Sequence, residues 1–261
     1  MPYTFSHPLA VVPLRSSCPK WFNFAALVIG SLSPDFGYYT RQFSVAHFAH
    51  AALGTLAICL PTGLLALGLF YMIRRPLCFI LPQPHRAALM PLVLRRSALS
   101  FRSFFVAVIS ILLGAWTHTV WDSFTHDGGW AVQRFAILRA PVIHTGTTVL
   151  PVSYVLQETS TFGAGALLAI LYFRWLRRQP ATTTHEGASV PDRLRYLLIV
   201  LLAAIALIYA IPAALGMASL FQGYLAFRVF VFRTGVYSAA VFVPLLIVSS
   251  IAFYAVHRRT V

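Results

Sequence analysis

Acidic side chains are almost absent from this sequence. Of 261 residues only six are Asp or Glu: Asp35, Asp122, Asp127, Glu158, Glu186 and Asp192. Only 10% of the chain is charged, against about 25% in an ordinary soluble domain. With 59% of the residues apolar, a water-soluble fold of this length has too little polar surface to cover itself. Cysteine is scarce as well. Cys18, Cys59 and Cys78 are odd in number and lack metal-ligand spacing, and Cys59 lies inside an apolar run, which argues against a disulfide framework. No glycine-rich phosphate loop is present, no glycine elbow surrounds Ser123 as a serine hydrolase requires, and there is no internal repeat. Residues 1–20 have no basic stretch ahead of an apolar core, so they do not read as a cleavable signal peptide.

What the chain does have is apolar runs closed by arginine. Phe22 to Leu32 is too short to span a bilayer and is stopped by Pro34, which predicts a re-entrant or interfacial helix. Five spans are expected: Ala51 to Ile73, with a kink near Pro61 and Gly63; Ser103 to about Thr125; about Val152 to Phe173; Tyr196 to about Met217; and Thr234 to Val256. Arg134 to Pro151 reads as a loop and Gln179 to Pro191 as a flexible linker. The net charge of +14 sits mostly at the ends of the runs, the mark of a cytoplasmic membrane side rather than of a nucleic-acid binder. Six arginines follow the first span, five lie between Arg174 and Arg195, and two more follow the fifth span. With five spans all three groups share one side, so the C-terminus is expected in the cytoplasm. The domain expectation is one integral membrane domain over 1–261: an outer segment 1–50, three spans within 51–178, and two within 192–261.

The chemistry-bearing residues converge on the opposite side. His118, Asp122 and His126 follow at spacings of four, so they form one stripe over two turns of the second span. His and carboxylate on one helix face is how a helical protein offers ligands to a metal ion. His47 and His50 head the first span, Asp35 precedes it, and His7 belongs to the same outer segment. Spacing alone does not separate His47 from His50. A single membrane histidine or Asp122 alone is more often packing glue between helices than a ligand, but the whole set argues for a metal site. Glu158 stands open between ligand, general base and interfacial acid, and Asp127 between a helix-end residue and a member of the site. His85, His185 and His257 are expected to be solvated cytoplasmic residues, and His144, in an outer loop, stands open between a surface residue and a member of the site.

At these positions the sequence resembles a bacterial membrane family. Met1-Pro-Tyr-Thr-Phe-Ser-His7-Pro, Gly30-Ser-Leu-Ser-Pro-Asp35-Phe and Trp116-Thr-His118-Thr-Val-Trp-Asp122-Ser-Phe-Thr-His126 are similar to the family catalogued as domain of unknown function 4184, over nearly the whole chain. That family in turn resembles inner-membrane metal-dependent hydrolases, which are distantly similar to zinc-dependent phospholipase C. The resemblance implies metal ligation by His7, Asp35, His50, His118 and Asp122, with His126 beside them. The hydrolase pattern has Ser after the histidine matched to His50, where this chain has Ala51, so a possible hydroxyl behind the ligands is missing.

The resulting expectation is an all-α, polytopic protein of the bacterial inner membrane with an outward-facing divalent metal site, zinc being the expected ion. The leading function is metal-dependent hydrolysis of a phosphoester or related bond, in a lipid or other amphiphile, with His126, Asp127 and Glu158 as candidate acid–base groups. Membrane lipids are the expected partners and nucleic acid is not. The alternative is a non-enzymatic membrane protein, either a metal-binding transporter or a scaffold in which the same residues tie helices together.

Overall fold

A chain in hydrocarbon must satisfy every backbone N–H and C=O internally, so long apolar runs become helices. In the computed structural model, which describes residues 4–18, 21–95, 100–145, 148–180 and 190–257, they do. The fold is all-α and of the membrane type. Among the described residues four helices are long and apolar enough to cross a bilayer: Ala52–Phe79, Phe101–Arg134, Asp192–Ala218 and Gly223–His257. The stretch expected as the third span is helical, Val152–Arg177, but is not apolar enough to count among them. It falls outside those four because Gln157, Glu158, Thr159, Ser160 and Thr161 make its first half polar.

Packing divides the chain into two compact units, one of Met1–Gly68 with Ala98–Tyr172 and one of Leu69–Ser97 with Phe173–Val261. In the first, the short apolar run forms the helix Phe24–Leu32, started by the Asn23 side chain accepting from the Ala26 N–H at 3.1 Å. It packs against Phe101–Thr125 at a crossing that only glycine permits. A Cβ on Gly30 would collide with the Ile111 backbone, and one on Gly114 with the Leu27 carbonyl. The N-terminal turn Thr4–Val11 packs on both helices, and the Ser6 hydroxyl donates to the Thr161 carbonyl at 2.8 Å.

The kink expected at Pro61 takes the form of a π-helical turn, Thr55–Cys59, just before it. Proline has no N–H and its ring crowds the carbonyl four residues back, so the α-helical ladder lapses ahead of it. The expected loop 134–151 is more ordered than its prolines suggested. Pro141–Thr145 and Thr148–Pro151 pair as an antiparallel hairpin, favoured by the β-branched residues of both arms.

The second unit is organised around Cys78, Phe79, Ile80, Met90, Val190 and Phe253. Asp192–Ala218 and Gly223–His257 pack as a helical hairpin, entered through Gly223 at φ +57. Ala206, Ala210, Ala214 and Ala218 are buried at spacings of four, a small-residue seam of the kind that lets membrane helices approach closely. Arg195 is fully buried. Its guanidinium lies over the rings of Phe79 and Phe253 and donates to the Phe79 carbonyl. The Asp192 carboxylate lies 3.6 Å from both Arg195 and the buried Arg86.

Candidate metal centre

His118 and Asp122 project from one face of the Phe101–Thr125 helix, one turn apart, and both are buried. The glycine crossing brings the last turn of the Phe24–Leu32 helix against that face. Its Ser31 carbonyl, one of the helix-end acceptors without an intrahelical partner, accepts from His118 Nδ1 at 2.7 Å. The Ser33–Asp35 turn that follows buries Asp35 beside them. His50 arrives from a corner, where the helix Phe43–Ala49 ends and Ala51 is extended. Its Nδ1 donates to the Ala46 carbonyl at 2.7 Å, again a helix-end acceptor. His7, from the N-terminal turn, stacks on His118 with ring centroids 3.6 Å apart.

Those two backbone contacts fix the tautomers of His50 and His118. A carbonyl only accepts, so each Nδ1 carries the hydrogen and each neutral ring presents the bare lone pair of Nε2 to the centre. The two Nε2 atoms are 3.3 Å apart. Asp122 Oδ2 lies 3.4 Å from His50 Nε2 and 3.3 Å from His118 Nε2. Three donors thus form a nearly equilateral triangle. A tetrahedral ion with bonds of about 2.0–2.1 Å has edges of about 3.3–3.4 Å, and a catalytic zinc site supplies three protein ligands and leaves a fourth position open. Asp35 Oδ1 adjoins the triangle, 3.5 Å from His50 and 3.6 Å from His118. His7 Nε2 lies 3.5 Å from Asp122 Oδ1. Two overlapping sets, His7 with Asp35 and His118 and His50 with His118 and Asp122, have donor atoms mutually within 4.8 Å.

Lone pairs facing lone pairs in a buried site repel unless a cation lies among them. His7 Nε2, Asp35 Oδ1 and Asp122 Oδ1 are buried without a hydrogen-bond partner among the described residues, which is where ligand atoms would be left in the absence of their ion. The donor set of three imidazoles and two carboxylates suits zinc and similar divalent ions. Carbonyls behind His50 and His118 supply the outer support usual in metal sites. Thr4 adds a third outer contact, its hydroxyl donating to Asp35 Oδ2 at 2.6 Å.

Protonation reflects the same crowding. Burial, with the His118 charge next, lowers the pKa of His7 to about 3 and keeps it neutral. Burial also acts against protonated His50, but its hydrogen bonds to Asp122 and Asp35 outweigh it and lift its pKa to about 10. Burial raises the Asp35 pKa, and the charge of His118 with the hydrogen bond from His50 outweighs it, for a net lowering.

The structure separates the remaining candidates. His47 is exposed, so His50 is the histidine at the centre. His126 lies just past the end of its helix, with extended backbone. Its Nδ1 is 3.1 Å from the Asp122 carbonyl and 3.7 Å from Asp122 Oδ1, and its Nε2 is buried without a hydrogen-bond partner. The stripe of three therefore brings two side chains, His118 and Asp122, into the donor cluster with His126 beside them. Asp127 does not join the cluster. The helix has ended before it, its side chain is exposed, and its backbone carbonyl accepts from Gln133. Glu158 is half-buried on the Val152–Arg177 helix and belongs to neither donor set. His144 is exposed on the hairpin. His85 and His257 are half-buried rather than fully solvated, His85 edge-on to Phe173 and His257 bonded to the Phe253 carbonyl at 2.9 Å. His185 and Glu186 lie outside the described residues.

Thr4 and the carbonyls of Ser31 and Ala46 are contributors that the residue pattern did not single out. Thr4 stood inside the quoted N-terminal motif, three residues before His7, whereas backbone carbonyls leave no signal in a sequence. No curated protein and no solved structure matches this chain. A family model matches residues 1–253, and with the buried His–Asp cluster built from all three of its conspicuous motifs, the chain belongs to the family described as domain of unknown function DUF4184.

Proposed function

We propose that this protein is a membrane-embedded, metal-dependent hydrolase of a phosphoester or related bond in an amphiphile, working at the outer face of the membrane. The observation that supports it most is the near-equilateral triangle of His50 Nε2, His118 Nε2 and Asp122 Oδ2, with both imidazoles held in the metal-binding tautomer. In this reading His50, His118 and Asp122 hold a divalent ion, zinc by preference, with Asp35 and His7 completing or bridging the site. A divalent ion there lowers the pKa of a bound water towards neutrality and polarises the scissile group. His126, with Nε2 unpartnered beside the ligands, carries the proton to or from the reacting oxygen. Asp127 has no part in it, and Glu158 is kept only as an acid of the surroundings.

The exposed Trp116, Trp121 and Trp130 on and just after the helix that carries His118 and Asp122 are the residue type that settles at headgroup level. That depth suits a substrate whose polar head meets the site. His50, with its side chain 21% exposed, gives the centre one open edge. The second reading is a purely structural ion, which the complete burial of His118 and near-complete burial of Asp35 favour.

The test is elemental analysis of the detergent-purified protein beside the double variant His118→Ala, Asp122→Ala. About one or two equivalents of zinc, lost in a variant that stays monodisperse, support the site. The native protein is then offered short-chain and long-chain phosphodiesters. No metal even after reconstitution with zinc, manganese or iron would overturn the reading. Metal without turnover would leave the structural ion.

A further inference from the structure

Two neighbouring residue pairs face in two directions. His7 and Asp122 turn into the cluster, their side chains 3.5 Å apart. Ser6 and Trp121, each one residue earlier, turn instead towards a cleft of about 150 Å³ that His7 also lines. Leu9 and Ala10 from the N-terminal turn, Trp121 from the ligand helix, and Ser160 with Ala164 from Val152–Arg177 complete it. The cleft exists because one wall is built small. On helix 152–177 that wall is made by Ser160 and Ala164, one turn apart, whose side chains leave room that larger ones would fill. The Ser6 hydroxyl on the Thr161 carbonyl holds the turn to this helix at one point without closing the gap.

We propose that this cleft seats the hydrocarbon chain of a lipid, at its end nearest the headgroup, while the polar head lies at the His–Asp cluster. The proposal rests on the hydrolase reading for what happens to the head, but chain binding stands on its own geometry. The lining is mostly apolar, its polar groups being the Ser6 and Ser160 hydroxyls, the His7 ring and the Trp121 indole N–H, and the Ser6 hydroxyl is already taken by the Thr161 carbonyl, so it offers a polar solute little to hydrogen-bond. It lies one side chain away from a cluster of four buried polar groups and the partly exposed His50, and only an amphiphile is complementary to both at once. Trp121, 46% exposed, puts one wall of the cleft at the surface of a helix apolar enough to cross a bilayer. A lipid chain can therefore enter sideways from the membrane without passing through water. Substrates with a chain next to the scissile head should bind better than the same head alone.

The experiment reconstitutes the zinc-loaded full-length protein into vesicles of phosphatidylethanolamine and phosphatidylglycerol. These carry a trace of a phosphatidylethanolamine whose acyl chain bears a photoactivatable diazirine close to the glycerol. After illumination the adducts are mapped by peptide mass spectrometry. Label should concentrate on the segments holding Leu9, Ala10 and Trp121. In Ala164→Phe, which fills the cleft, it should fall about tenfold, the effect of losing burial for two methylenes or so, while bound zinc stays unchanged. Ser160→Leu, from another point of the lining, should lower it in the same way, so a folding failure in one variant does not decide the matter. Label spread evenly over the exposed faces of Asp192–Ala218 and Gly223–His257, or undiminished in both variants that retain zinc, would show ordinary boundary lipid and overturn the proposal. Cleft-specific label with no turnover of any phosphodiester would sink the hydrolase reading and leave this one standing. Turnover of short-chain substrates unaffected by chain length, with no cleft label, would do the reverse.

Discussion

Thr4→Val is the most informative single substitution, because Thr4 holds a proposed metal ligand, Asp35, without being one itself. Its hydroxyl lies 2.6 Å from Asp35 Oδ2, within the short range of a hydroxyl on an ionised carboxylate. Valine keeps the shape and volume, so the N-terminal turn and His7 stay in place while the carboxylate loses the Thr4 hydroxyl. A hydrogen bond to a charged group contributes about 1.5–3 kcal/mol. An outer contact that orients a metal ligand changes metal affinity about ten- to a hundredfold, or about 1.4–2.7 kcal/mol. The two routes agree. Zinc affinity is read by competition with a chromophoric chelator in detergent, and Ser123→Ala serves as the control. That hydroxyl donates only to its own helix, at the Val120 carbonyl, and its loss should leave affinity unchanged. Equal zinc affinity in Thr4→Val and the native protein would refute the claim that Asp35 is a ligand oriented by Thr4. A loss shared by the Ser123→Ala control would show that general loosening is being measured.

His50→Ala should abolish stoichiometric zinc while His47→Ala retains it, by elemental analysis; the reverse result would place the wrong histidine at the centre. Asp127→Asn should leave metal content and any turnover at native levels, since the side chain faces away, and a loss of turnover above tenfold would restore it as the general base. Gly114→Ala drives a methyl into the Leu27 carbonyl and should cost about 1–3 kcal/mol, seen as a lower thermal midpoint in detergent together with lost zinc. In the second unit, Asp192→Asn leaves Arg86 and Arg195 without their carboxylate. It should destabilise by about 2 kcal/mol, less than the ~3–5 kcal/mol of a fully buried pair because the Asp192 side chain is 34% exposed. An unchanged melting midpoint would mean that the guanidinium contacts with Phe79 and Phe253 suffice.

What the sequence determined by itself is whatever is encoded locally. The scarcity of charge and the length of the apolar runs settle the membrane class, because hydropathy needs no partner to be read. Helical period alone puts His118 and Asp122 on one face. The family motifs named the ligand candidates that the structure gathers. Only tertiary structure decided between His47 and His50, which are three residues apart and differ in which side of a helix end meets the Ser33–Asp35 turn. It alone turned Asp127 outwards, since the helix breaks at His126 where the stripe continued on paper. Backbone carbonyls of Ser31 and Ala46 fixed the tautomers: the first reaches His118 only because Gly30 and Gly114 allow two helices to touch at the backbone, and the second reaches His50 because its own helix stops at Ala49. Each of these contacts joins residues far apart in the chain or depends on where a helix stops, and neither is carried by the residue type at one position.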